Sequence, residues 1–274
     1  MKTKKLPYIF VIGNEKGGAG KTTCSMHLII GLLEKGYKVT SIDADCRQGS
    51  LTRYLENRSR YNATNPDKQV LEPVHHLLKE SLLENKGEKQ AQEKEEFEAL
   101  LESCKQSADI IVIDTPGTHS NLSTIAHSHA DTVITPINDS FIDIDVMAKI
   151  DGDNMKIIGP SIYSQMVWEQ KLERAKRDNG SIDWVVMRNR LSSIDAINKR
   201  NVAKVLDDLA KRISFRQVPG FGERVVFREL FLQGLTLLDL KKANYEKGFS
   251  MSHVAARQEL RDFLDSLDYT KTHF

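Results

Sequence analysis

The stretch Gly13-Asn14-Glu15-Lys16-Gly17-Gly18-Ala19-Gly20-Lys21-Thr22-Thr23 constrains this chain more than any other. An apolar run (Tyr8, Ile9, Phe10, Val11, Ile12) precedes it, and a helical pattern with Met26, Leu28, Ile29, Ile30, Leu32 and Leu33 follows. Strand, glycine loop and helix in that order are the context a phosphate-binding loop requires. The glycines free backbone N–H groups to converge on phosphate oxygens, and the helix aims its positive end at the same point. Lys21 then reaches the β- and γ-phosphates, and Thr22 offers its hydroxyl to Mg²⁺. The ordinary pattern G-x-x-x-x-G-K-[ST] fails at its first position, which is Glu15, and a second lysine, Lys16, opens the loop. The alternative, a glycine turn that happens to carry two lysines, is disfavoured by the flanking elements.

The 274 residues, 40% of them apolar, are enough for one large α/β domain or two small ones. A formal net charge of +1 gives no global attraction to nucleic acid, so DNA or anionic-lipid binding has to come from a local patch. Three cysteines (Cys24, Cys46, Cys104) form no CxxC pair, which argues against a zinc knot or a disulfide framework and for a reducing cytosol. The basic N-terminus runs straight into the first strand, leaving no room for a signal peptide. No apolar run approaches the ~20 residues of a membrane span. The expectation is a cytoplasmic protein without a membrane partner.

A second strand over 37–43 ends in Asp43-Ala44-Asp45. Two aspartates at the carboxyl end of a parallel strand stand where α/β sheets place their chemistry, the alternative being a pair of solvated turn residues. Residues 51–60 and 74–83 read as helices, and 84–98, with six glutamates and three lysines, as a solvated helix or loop without chemistry. Ile110-Ile111-Val112-Ile113-Asp114-Thr115-Pro116-Gly117 is a strand buried on both faces that ends in a Walker B aspartate. Asp114 would hold Mg²⁺ through a water, and the Gly117 amide could turn toward the γ-phosphate as a switch. Further strands are expected over 131–138, 182–187 and 213–218, and a closing amphipathic helix over 252–267. The acids Asp139, Asp143 and Asp145 fit a solvated loop or helix start better than a second metal site. Strands alternating with helices predict a single domain over 1–274, a mostly parallel sheet with helices on both faces, and a charge-rich elaboration at about 62–105.

Lys16 with Lys21, Asp43-Ala44-Asp45, Asp114-Thr115-Pro116-Gly117 and Arg188-Asn189-Arg190 resemble, in order and context, the ParA/MinD superfamily of deviant Walker A ATPases. Several stretches look closer to its MipZ family of division-plane positioning ATPases of alphaproteobacteria. They include Pro136-Ile137-Asn138-Asp139-Ser140-Phe141, Trp184-Val185-Val186-Met187-Arg188-Asn189-Arg190-Leu191 and Ala255-Ala256-Arg257-Gln258-Glu259-Leu260-Arg261. The resemblance implies a slow ATPase that dimerises around ATP and Mg²⁺. Gly17, Gly18, Ala19, Gly20, Lys21, Thr22 and Thr23 would bind the phosphates; Asn189 would read the adenine, with Pro219 and Phe221 flanking it. Lys16 would reach the phosphates held by the other subunit, as an arginine finger does. Asp45 would position the attacking water and act as a switch, with Asp43 near the metal alongside Thr22 and Asp114.

The same resemblance implies non-specific DNA binding by the dimer, a nucleoid-associated location, and contacts with ParB-like and FtsZ-like proteins. Between Arg188 and Arg216 eight basic residues face three acids, among them Arg200, Lys204 and Lys211. Dimerisation would double such a patch, and phosphate binding grows steeply with the number of contacts. The spacing of Lys204 with Asp208 and of Asp207 with Lys211 equally fits a salt-bridged solvated helix. Membrane cycling is disfavoured by the acids of the closing helix, Glu259, Asp262, Asp265 and Asp268. An iron–sulfur enzyme is disfavoured because no cysteine follows the Walker B strand. ParA-type partitioning shares all the nucleotide chemistry and is the remaining alternative.

Overall fold

The computed structural model describes residues 6–138, 141–151, 157–190, 196–244 and 251–269. Strand β1 (Tyr8–Ile12) leads through the glycine loop into helix α1 (Lys21–Glu34), and β2 (Val39–Asp43) leads into α2 (Ser50–Thr64). The alternation continues with β3 (Val74–Leu77), α3 (Lys86–Cys104), β4 (Ile110–Asp114), α4 (Asn121–His129), β5 (Thr132–Asn138) and the short α5 (Phe141–Ile144). An antiparallel ribbon, β6 (Ala148–Ile150) with β7 (Ile157–Pro160), interrupts it. Then come α6 (Ile162–Asp178), β8 (Asp183–Asn189), α7 (Ala196–Ile213), β9 (Arg216–Val218), α8 (Val226–Gln233) and α9 (Met251–Ser266).

Seven strands form one parallel sheet in the order β3-β2-β4-β1-β5-β8-β9. The expected parallel sheet with helices on both faces is thus the observed architecture. The alternation of side chains along β1 divides the interior. Phe10 and Ile12 join a core with Met26, Leu51, Leu230 and Phe263, which come from α1, α2, α8 and α9. Ile9 and Val11 join the opposite core with Phe97, Ala126, Val167 and Leu206, from α3, α4, α6 and α7. Because both faces are covered, the central strands need no polar alternation, which is why β1 and β4 read as nearly unbroken apolar runs. The register sets Asp43 opposite Asp114 and Ile12 beside Asp114. Three strand ends with chemical groups therefore meet at the carboxyl edge, where the glycine loop begins.

Several elements differ from expectation. Residues 74–77 form β3, an edge strand on β2, where the leucine spacing predicts a helix. Tertiary pairing outweighs that pattern: His75 is held by the Ser41 and Thr52 hydroxyls at 2.9 Å each, while Leu82 lies exposed. Helix α7 runs to Ile213, so β9 starts only at Arg216; Ser214 takes a positive φ of 57° at the break. The charge-rich run is a helix, α3, capped by the Asn85 side chain on the amides of Gly87 and Glu88. It hides Glu93, Phe97, Leu101 and Cys104 on its buried side. Helix α9 closes the fold through Ala256, Leu260, Phe263 and Leu264, although Val254 stays half exposed. Among the described residues no helix is long and apolar enough to cross a membrane.

Candidate functional site

Two glycines shape the loop after β1. Gly18 and Gly20 have φ of 76° and 90°, a region L side chains rarely adopt, and a Cβ on Gly20 would stand 2.0 Å from Asn189 Nδ2. Gly20 is the N-cap of α1 and brings no side-chain cap, so the first-turn amides point into open space. That space is a cavity of about 760 Å³. Its wall takes Gly17, Gly18, Gly20, Lys21, Thr22 and Thr23 from the loop and α1, and Asp45, Arg47, Gln48 and Ser50 from the turn after β2. Asp114, Thr115, Gly117 and Thr118 come from the end of β4 and beyond, with Arg190 and Phe231 at the far side. An amide cradle at a helix N-terminus, with a lysine inside it, is a site for polyanionic phosphate.

Burial sets the electrostatics of this wall. Lys21 is 9% exposed, and its ammonium donates to the Asn14 and Lys16 carbonyls at 3.0 and 3.2 Å. Desolvation lowers its pKa, against the pull of Asp114 and Asp45. Asp114 accepts the Thr22 hydroxyl at 2.9 Å on Oδ2 and the Ser25 hydroxyl at 3.0 Å on Oδ1. Burial, reinforced by nearby Asp43, raises its pKa to about 7. A carboxylate so reluctant to ionise, beside a hydroxyl and facing an open cavity, is a donor set that a hard divalent cation would satisfy. Thr22 and Asp114 therefore fit Mg²⁺. Ser25 is absent from the sequence reading, though it lies one helical turn beyond Lys21 and Thr22.

Asp43 stands behind the wall. It is fully buried, and its Oδ1 takes the Asp45 amide while Oδ2 takes the Thr52 amide and hydroxyl. It braces the turn that presents Asp45, and its carboxylate is already spoken for where the sequence reading expects a place near the metal. Asp45 itself is half-buried on the wall and accepts the Gln48 amide at 3.1 Å. At Gly117 a Cβ would meet Lys21 Nζ at 3.2 Å and Gly17 Cα at 3.5 Å, so the residue sits close against both the lysine and the glycine loop. Ala19 is buried behind the loop, and its carbonyl accepts Asn189 Nδ2 at 2.9 Å.

A second cavity of about 370 Å³ adjoins the first and shares Gly20, Thr23, Arg190 and Phe231 with it. Asn189 lines it, as do Gly222, Arg224 and Phe227, with Arg224 held by Glu259 at 2.5 and 2.7 Å. Pro219 is exposed and lines neither cavity. Phe221 is fully buried, stacked on Phe227 at 5.6 Å and edge-on to Phe263, so it is core and not a wall.

Lys16 is not on the phosphate wall either. Its ammonium lies 2.6 Å from Asp143 and is about one-third exposed. Asp143 thus has a lysine for a partner, and among the described residues no cluster of three acids, histidines or cysteines could hold a metal; Asp139 falls outside them. The loop's first residues are braced by a cluster that sequence reading misses. Tyr163 donates to the Gly13 carbonyl at 2.8 Å and contacts Thr135 and His127, while Asn14 donates to the Pro136 carbonyl at 2.6 Å. Lys204 and Lys211 line neither cavity and are exposed on α7, opposite its buried Val202, Leu206 and Leu209. The side chain of Arg200 lies outside the described residues.

The family described as ATPase MipZ matches residues 8–271. The chain belongs to that family. Septum site-determining protein MinD of Helicobacter pylori (strain ATCC 700392 / 26695) is 29% identical over 150 residues, covering 50% of this chain and 56% of that one. The chain spans about half the length of the curated relatives it matches. Among solved structures, MinD from Pyrococcus horikoshii OT3 complexed with Mg-ADP superposes with a TM-score of 0.58 at 18% identity, covering 98% of this chain and all of that one. A putative plasmid partition protein of Borrelia burgdorferi bound to AMPPNP gives 0.57 at 17% identity, over 95% of this chain and all of that one. At such identities the two structures speak for the fold, which this MipZ-family chain shares with them.

Proposed function

We propose that this MipZ-family chain is an ATP-driven monomer–dimer switch that hydrolyses ATP slowly, to ADP and phosphate, and helps to place the cell-division site. The observation that carries the reading is the split between the two lysines. Lys21 lies inside the phosphate cavity with Thr22, Asp45, Asp114 and Gly117, while Lys16 stands outside it on Asp143. The family match and the nucleotides named for the two similar structures support ATP with Mg²⁺.

The amides of residues 17–23 and the Lys21 ammonium bind the β- and γ-phosphates, and Asn189 with the adjoining cavity takes the base. Thr22 and Asp114 would hold Mg²⁺, which would supply charge neutralisation to the phosphates. Asp45 orients the attacking water. Gly117 lies close enough to Lys21 to report whether the terminal phosphate is present. Lys16 leaves Asp143 and enters the partner's cavity, so the dimer completes the site and hydrolysis undoes it. With Asp114 given to the cation, Asp45 is the remaining carboxylate on the wall, which supports slow turnover.

The exposed Lys204 and Lys211, neither with an ion-pair partner among the described residues, support α7 as the DNA-binding face, with Arg200 assigned to it from the sequence. The proposal extends to ParB-like and FtsZ-like partners and to a cytoplasmic, nucleoid-associated location, for which the family match is the support. A ParA-type role in DNA partitioning is the second reading, favoured by the likeness to the Borrelia protein. Light scattering with ATP, ADP and a non-hydrolysable analogue, with and without DNA, tests the switch. Dimers are expected with ATP or the analogue only, and DNA retention by the dimer only. Asp45→Ala should bind ATP yet accumulate as dimer; ordinary turnover in that variant would overturn the role of Asp45.

A further inference from the structure

The turn that presents Asp45 has one side chain reaching away from it. Residues 45–49 fold tightly on themselves: the Gln48 amide returns to Asp45 Oδ1, and the Gly49 amide to the Asp45 carbonyl at 2.6 Å. Arg47 leaves this turn, and its guanidinium meets Glu80 in a two-point contact, Nε to Oε2 at 2.8 Å and Nη2 to Oε1 at 2.9 Å. Lys89, from the first turns of α3, closes on the same carboxylate at 2.6 Å. A parallel two-point contact between guanidinium and carboxylate fixes angle as well as distance, which a single ion pair does not. The two cations hold Glu80 ionised down to a pKa of about 2, Arg47 contributing first.

A clamp holds only if its far end is fixed, and this one is. Leu78, just before Glu80, is buried, and α3 is seated in the core by Phe97 and Leu101. The carboxylate of Glu93, 3% exposed, accepts Asn121 Nδ2 at 3.0 Å, and the Gln90 carbonyl accepts the same group at 3.3 Å. Asn121 opens α4, directly after the loop that carries Gly117. Between these attachments lies a cavity of about 280 Å³, bordered by residues 44–47, by Glu80, by α3, by Pro116 and by residues 118–122. The charge-rich segment thus touches the Asp45 turn with one pair of side chains and the region after Gly117 with another.

We propose that Glu80, clamped by Arg47 and Lys89, is a positioning residue that holds the Asp45 turn in its hydrolytic geometry, so that the segment after β3 sets the rate of ATP turnover without touching nucleotide. The inference rests on the role given to Asp45 above. Misplacing a catalytic group by about 1 Å can cost on the order of a hundredfold in rate, so loosening one tether should read out in kcat.

The test is Glu80→Gln, which keeps the shape of the side chain and removes its charge. Hydrogen exchange on the nucleotide-free protein should show the amides of residues 46–49 losing protection about tenfold, with the glycine loop unchanged. In ATP turnover kcat should fall about tenfold while KM and dimer formation with a non-hydrolysable analogue stay as in the parent. Adding Glu80→Gln to Asp45→Ala should slow that variant no further, because the effect passes through Asp45. Unchanged exchange in residues 46–49 overturns the clamp. So does a parent-like kcat, a change confined to KM, or further slowing in the Asp45→Ala background. A parent chain that does not hydrolyse ATP at all would strike the proposed function instead, and the exchange result would still decide the clamp.

Discussion

Lys16 and Lys21 stand five residues apart in one loop, and the chain treats them in opposite ways. Lys21 is pulled inward, nearly buried, with its ammonium bonded to the carbonyls of residues 14 and 16. Its hydrogen bonds go to neutral carbonyls, and the nearby carboxylates of Asp114 and Asp45 do not outweigh its desolvation beside an open cavity. An anion entering that cavity would meet a cation ready to pair with it. Lys16 is turned outward and already has a full negative partner, Asp143. The inner half of the loop is unfinished without an anion; the outer half is finished until something better replaces Asp143. One loop therefore contains both a binding site and a reserve.

The sharpest way to break this contrast is to truncate each lysine. Lys21→Ala removes a charge-assisted contact from a desolvated site and should weaken ATP binding about 10- to 100-fold by calorimetry. Lys16→Ala should leave that affinity within about twofold, since Lys16 lies off the wall, and should abolish the ATP-dependent dimer in light scattering. Equal losses of affinity in both variants would dissolve the distinction.

What sequence reading finds and misses follows the same division. The inner half is legible because its parts are contiguous: the glycines, Lys21 and Thr22 lie within six residues, and Asp114 closes a buried apolar strand. The parallel sheet is legible for the same reason. The partners that come from a distance leave no local trace. Nothing around Lys16 points to Asp143, nothing around Gly13 points to Tyr163, and nothing around Arg47 points to Glu80. Strand β3 is missed because the pairing with β2 that makes it a strand is tertiary, while its leucine spacing taken alone is helical. Glu93 disappears into a run of solvated glutamates although it is buried on Asn121. Asn189 is expected at the base from its position; in the structure it lines the second cavity, and its contact with the Ala19 carbonyl also fastens the loop. Pro219 follows the right strand and still misses the cavity, because the chain after β9 turns Phe221 into the core.

The inner half also carries a group that titrates near neutrality. Asp114, with its pKa raised to about 7 by burial and by Asp43, holds a proton below that pH in the ligand-free chain. A cation needs the ionised carboxylate, so binding must expel the proton, and the cost is about 1.4 kcal/mol for each pH unit below 7. Affinity for Mg-ADP should rise about tenfold between pH 6 and pH 8, with proton release in calorimetry at the lower pH. Asp114→Asn should flatten that dependence. A flat profile in the parent chain would mean that Asp114 does not carry the cation.

The smallest effect probes the reserve itself. Asp143 is nearly buried, but Lys16 is about one-third exposed, so water screens the pair and its strength falls in the range of exposed ion pairs, about 0.2–1 kcal/mol. In the proposed switch, forming the dimer requires Lys16 to leave this partner, and the energy of the pair would oppose association. Asp143→Asn removes the opposition and should tighten the dimer formed with a non-hydrolysable analogue about threefold in sedimentation, leaving the ATP affinity of the single chain as it was. A weaker dimer would reverse the assignment: Asp143 would then be aiming Lys16 at the partner, not retaining it. The sign of a threefold change thus separates a lysine that is held back from one that is held ready.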